Sequence, residues 1–101
     1  MPGNMNNLMK QAQRMQRQME EATKELETQE MSATAGGVVE VTVNGAREVT
    51  KVKIDPEAVD PEDVEMLQDL VMAATNEALK KVEEYTQSKM SQITGGLNGL
   101  L

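Results

Sequence analysis

The side chains able to do chemistry in this sequence are carboxylates, ammonium and guanidinium groups, amides and hydroxyls. Cys, His, Trp and Phe are all absent, and Tyr85 is the only aromatic residue. Without Cys or His there is no zinc finger, no thiol redox centre and no Ser-His or Cys-His nucleophile pair. No disulfide framework argues for an oxidising compartment. One aromatic ring is too few for the stacking platforms that hold single-stranded nucleic acid. The carboxylates of Glu62, Asp63 and Glu65, or of Glu83 and Glu84, could supply an acid/base pair or metal ligands. Neighbouring positions on a helix point about 100° apart, so Glu83 and Glu84 do not converge. No Asp/Asn series around a central Gly forms a calcium loop. Gly36-Gly37 precedes a strand pattern, so no helix N-terminus follows it to hold a phosphate. The expectation is no catalytic residue, no metal, no cofactor and no small-molecule substrate.

The cations are more informative than the acids. The chain of 101 residues carries 10 Lys+Arg against 17 Asp+Glu, a formal net charge of -7. As a sum, that argues against a polyanionic partner. Resolved along the chain, residues 1–19 hold Lys10, Arg14 and Arg17 and no acid, giving +3. Residues 20–30 give -4, and residues 55–84 give -8. Lys10, Arg14 and Arg17 stand at i, i+4 and i+7 and so line one side of a helix. Gln11, Gln13, Gln16 and Gln18 surround them with amide donors and acceptors. A second basic set, Arg47, Lys51 and Lys53, falls on the wet face of a β-hairpin.

These groups need elements to position them. From about Asn4 to Glu30 the apolar residues Met5, Leu8, Ala12, Met15, Met19, Ala22 and Leu26 alternate steps of three and four. That is a heptad seam in a long helix, with the basic set beside it. At 1.5 Å per residue the helix is roughly 40 Å long, against a radius of gyration of about 13 Å for a compact 100-residue domain. It must project past its own core, with Met15, Met19, Ala22 and Leu26 seeking a helical partner. Homodimerisation is the natural completion.

After Gly36-Gly37 the period becomes two. Val38–Val43 and Ala46–Ile54 flank Asn44-Gly45, a pair suited to a type I′ turn. The expected register sets Val43 opposite Ala46, Val41 opposite Glu48 and Val39 opposite Thr50. It collects Val39, Val41, Val43, Ala46, Thr50, Val52 and Ile54 on one face, with Glu48 as the exception. A two-stranded ribbon alone is marginal, so a third strand is expected from Glu30–Ala35 or from a partner chain. Asp60 as N-cap and Pro61 at the first helical position then open a second helix ending near Gly95-Gly96. The fold class is α+β: long N-terminal helix, small antiparallel sheet, long C-terminal helix. One domain over 1–95 and a flexible tail over 96–101 are expected.

The first residues have neither the basic start nor the apolar run of a secretory signal, and no stretch approaches the ~20 apolar residues of a spanning helix. The expectation is a soluble, cytoplasmic chain with no membrane contact.

Five stretches resemble the YbaB/EbfC family of small bacterial nucleoid-associated proteins. They are Met9-Lys10-Gln11-Ala12-Gln13 with Met15-Gln16, Val43-Asn44-Gly45-Ala46, Val52-Lys53-Ile54-Asp55-Pro56, Glu65 to Val71, and Ala73 to Ala78. Together they span most of the chain from about Asn4 to Ser91. The resemblance implies an α-β-α domain dimerised so that the first helices project like the arms of tweezers. It also implies binding of duplex DNA in the nucleoid, with altered DNA conformation, nucleoid organisation, DNA protection and gene regulation. The arms are the family's proposed contact region, which here maps to Lys10, Arg14 and Arg17, with Gln11 and Gln13 as flanking donors. The alternative is a protein-interaction module whose helical arms clasp another protein, with DNA binding weak or absent.

Overall fold

The computed structural model describes the backbone from Pro2 to Asn98 and the side chains from Met5 to Gln92. Helix α1 (Pro2–Thr28) leads into strands β1 (Glu30–Ala35), β2 (Val39–Asn44) and β3 (Val49–Ile54). A 3₁₀ turn (Pro56–Ala58) and helix α2 (Val64–Asn98) complete the chain. The strands form one antiparallel sheet in sequence order, so the third strand comes from Glu30–Ala35 of the same chain. The architecture is the α+β arrangement expected.

Packing is one-sided. Val39, Val41 and Val43 of β2 are fully buried, and Ala33 of β1 joins them beneath Ala74, Ala78 and Val82 of α2. Leu67, Leu70 and Val71 seal the edge of this core. Small alanines at the helix–sheet contact let α2 approach closely, while the β-branched valines suit the pleated surface. Lys81 then reaches over β1, its Nζ donating to the Ser32 carbonyl at 3.0 Å.

The turns are the reverse of those expected. Gly36 (φ 60°) and Gly37 (φ 70°) form the tight β1–β2 turn, closed by Val38 N donating to the Ala35 carbonyl at 3.2 Å. Two consecutive positive φ values are the signature of type I′, so the glycine pair, not Asn44-Gly45, takes that geometry. Asn44 instead organises a longer loop. Its Oδ1 accepts from Ala46 N and Glu48 N, both at 3.0 Å, and its carbonyl accepts from Arg47 N at 3.0 Å. The positive φ falls on Arg47 (63°).

This loop changes the register. Val39 pairs with Ile54, Glu40 with Lys53, Val41 with Val52 and Thr42 with Lys51, in place of the expected Val39–Thr50 and Val41–Glu48. An irregularity between Thr42 and Val43 then brings Val43 opposite Val49. Glu48 thus leaves the apolar face, where it was the one misfit, and Glu40 meets Lys53 on the wet one. Ala46 and Arg47 belong to the loop rather than to a strand.

Helix α2 opens three residues later than expected. Asp60 Oδ1 accepts from Glu62 N (2.9 Å) in a preliminary turn, and Asp63 Oδ1 caps the helix through Met66 N (3.3 Å). Asp63 competes successfully because the capping bond it makes lies one turn closer to the apolar run that packs on the sheet. The helix continues through Gly95-Gly96 to Asn98, and positions 99–101 of the expected tail lie outside the described residues.

Candidate nucleic-acid interface

Helix α1 meets the body only at its C-terminal end. Leu26 is buried, Ala22 is half-buried, and Gly45 N donates to the Gln29 carbonyl at 3.0 Å. The junction is so close that a Cβ on Gly45 would lie 1.7 Å from the Leu26 carbonyl oxygen. From Met5 to Glu21 every side chain is exposed. The molecule measures 76 × 20 × 15 Å with a radius of gyration of 20.5 Å, well above the ~13 Å of a compact chain this long. Helix α1 is therefore an arm, as its length predicts.

Lys10, Arg14 and Arg17 are all exposed on that arm. At about 100° per residue they form one strip, and the Met/Leu seam lies roughly 160° away, across the helix rather than beside it. Gln11 and Gln13 flank the strip on its two sides. Of the seam, Leu26 and Ala22 enter the body, while Met5 (68 %), Leu8 (64 %), Met15 (38 %) and Met19 (44 %) remain exposed. Cations and seam thus face opposite ways, and a partner on the seam leaves the cations free.

The second basic set is divided. Lys51 and Lys53 share the wet face of β3, opposite Thr42 and Glu40, whereas Arg47 sits in the turn. Most acids lie on the 3₁₀ turn, the residues before α2 and α2 itself, and a second group, Glu20, Glu21, Glu25 and Glu27, lies on the body-proximal part of α1. Among the described residues no group of three or more acids could hold a metal ion, and no helix is long and apolar enough to cross a membrane.

One surface escaped sequence reasoning. Strand β3 presents Val49 (49 %), Val52 (49 %) and Ile54 (38 %) on the same face as the β2 core, beyond the reach of α2. The signal was present, because a single α2 helix about 10 Å wide cannot cover three strands spaced about 4.8 Å apart together with their side chains.

Known proteins resemble this chain in sequence and in overall fold. A nucleoid-associated protein of Agathobacter rectalis is 68% identical over 98% of this chain and 88% of its own length. One from Clostridium acetobutylicum is 61% identical over 95% of this chain and 87% of its own. The crystal structure of an uncharacterized protein from Helicobacter pylori superposes with a TM-score of 0.75 at 25% identity, covering 86% of this chain and 92% of that one. The model of the YbaB/EbfC DNA-binding family, which is not an enzyme family, matches residues 1–97. The chain belongs to the YbaB/EbfC DNA-binding family.

Proposed function

We propose that this protein is a nucleoid-associated protein that binds duplex DNA as a homodimer through its α1 arms. In this reading it alters DNA conformation and contributes to nucleoid organisation, DNA protection and gene regulation. The observation that carries it is the acid-free cationic strip Lys10–Arg14–Arg17 on a helix that stands clear of an acidic body. Each cation neutralises a phosphate and releases counterions, while Gln11 and Gln13 donate to phosphate or groove edges. Concentrating positive charge at the arm confines contact to it and leaves the body's acids at a distance where salt screens them.

The dimer part of the reading is supported by two unpartnered apolar surfaces. One is the exposed row of Met5, Leu8, Met15 and Met19, and the other is Val49, Val52 and Ile54 on β3. Two-fold pairing through either doubles the cationic strip, which suits the symmetry of a duplex.

A labelled duplex of about 30 base pairs, titrated at several salt concentrations, tests the binding. Six phosphate contacts per dimer give a log-log slope of about -5. A Lys10/Arg14/Arg17→Glu variant should lose binding. Absence of binding at low salt, or equal binding by the variant, overturns the reading. It favours instead the clasping of a protein partner along the same Met/Leu row. For the dimer, Met19→Asp should raise the monomer fraction in sedimentation. If the mass stays dimeric, Val52→Asp should do so, placing the interface on the sheet.

A further inference from the structure

We infer that Glu21 terminates the phosphate-binding strip of α1 and sets how far along the arm a duplex can engage. The inference rests on the reading that Lys10, Arg14 and Arg17 contact phosphate, and it adds a residue that limits that contact.

Lys10, Arg14, Arg17 and Glu21 follow one another at steps of four, three and four within the uninterrupted helix Pro2–Thr28. At about 100° per residue, Glu21 falls within about 20° of the strip's centre line. It sits about 6 Å further along the axis than Arg17, the same step that separates Lys10 from Arg14. Glu21 therefore occupies the position at which a fourth cation would extend the strip towards the body. All four side chains are exposed, so nothing in the fold requires an acid there.

The carboxylate acts in two ways. It repels a phosphate that has tracked along the three cations. It is also the i+4 neighbour of Arg17, with Cβ atoms about 5–6 Å apart, so it competes with phosphate for that guanidinium. Beyond it the strip reads Lys24 then Glu25, alternating in sign with no further run of cations. Glu20 lies at nearly the same height but about 90° round the helix, which makes it a charge-matched control.

The test compares wild type, Glu21→Gln, Glu21→Lys and Glu20→Gln for binding of the same 30-base-pair duplex across a salt series. Gln and Lys are helix formers as good as Glu, so the arm itself is preserved. Removing one repulsive charge in contact with the track should tighten binding by roughly threefold to fivefold at low salt for Glu21→Gln, and by clearly less for Glu20→Gln. Glu21→Lys should steepen the salt slope by about 0.9 per chain, as an added phosphate contact requires. Equal tightening by the two Gln variants, with an unchanged slope for Glu21→Lys, means that only net charge matters and overturns the inference. If wild type does not bind, or binds equally after Lys10/Arg14/Arg17→Glu, the DNA reading itself falls and this inference with it. If that triple variant loses binding and only the Glu20/Glu21 contrast is missing, the DNA reading stands alone.

Discussion

Helices α1 and α2 are both long and both carry apolar residues at steps of three and four, yet one is bare and the other is built into the core. Along α2, Ala74, Ala78 and Val82 lose nearly all contact with solvent against β1 and β2. Along α1, only the last turns reach the body, and Met5 and Leu8 are about two-thirds exposed. A helical seam states that a partner is required, not where it is found. The sheet has one face to offer within the chain, and α2 takes it. The charge follows the same division in part: the outer arm, residues 1–19, is free of acids, and the helix that packs starts in the acidic block.

The contrast can be broken most severely at its buried end. Val41→Asp places an unpaired carboxylate beneath α2 and should cost at least about 4 kcal/mol, enough to unfold the domain in thermal circular dichroism. Leu8→Gln, on the matching seam of α1, should change the stability of the body by no more than about 0.5 kcal/mol. If the two substitutions destabilise equally, the arm is not independent of the core.

The joint between the two regions comes next. Gly45→Ala drives a methyl group into the Leu26 carbonyl and should cost about 1–3 kcal/mol, read as a lowered urea midpoint. Its effect should be accompanied by loosened hydrogen-exchange protection at the end of α1. A neutral outcome would mean that α1 swings free of the sheet.

A smaller effect sharpens where α2 begins. Asp63→Ala removes the cap on Met66 N and should cost about 1 kcal/mol in urea denaturation. Asp60→Ala removes only the bond to Glu62 N in the turn before the helix, and should cost less. Reversed magnitudes would return the helix start to Pro61.

Much of this was legible in residue order. The seam of α1, the two-residue period of the hairpin strands and the three-cation strip follow from local patterns, because side-chain period reports which face of an element is apolar. The marginality of a two-stranded ribbon called for a third strand but left Glu30–Ala35 and a partner chain as equal sources, and the fold takes it from Glu30–Ala35. The hairpin register was not. Gly45 could be read as a residue for positive φ, the ordinary reason for Asn-Gly, but its φ is not among the positive ones. Here the glycine is needed for the close approach of the Leu26 carbonyl from a helix end nineteen positions earlier. With the Asn44 side chain closing a longer loop, the pairing moved, and Val52 rather than Glu48 came opposite Val41. Glu48 as a lone acid on the expected apolar face was the available warning.

The candidate site divides in the same way. Local sequence determined that Lys10, Arg14 and Arg17 share one helix face and that no acid precedes them, because a helix converts spacing directly into direction. Tertiary structure decided that Ala22 and Leu26 are the part of this helix held by the body, that the sheet leaves Val49, Val52 and Ile54 uncovered, and that the -8 segment divides between the turns before α2 and α2 itself. Those outcomes depend on which surfaces compete for the one buried face of the sheet, a choice made between segments distant in the chain and therefore absent from any local pattern.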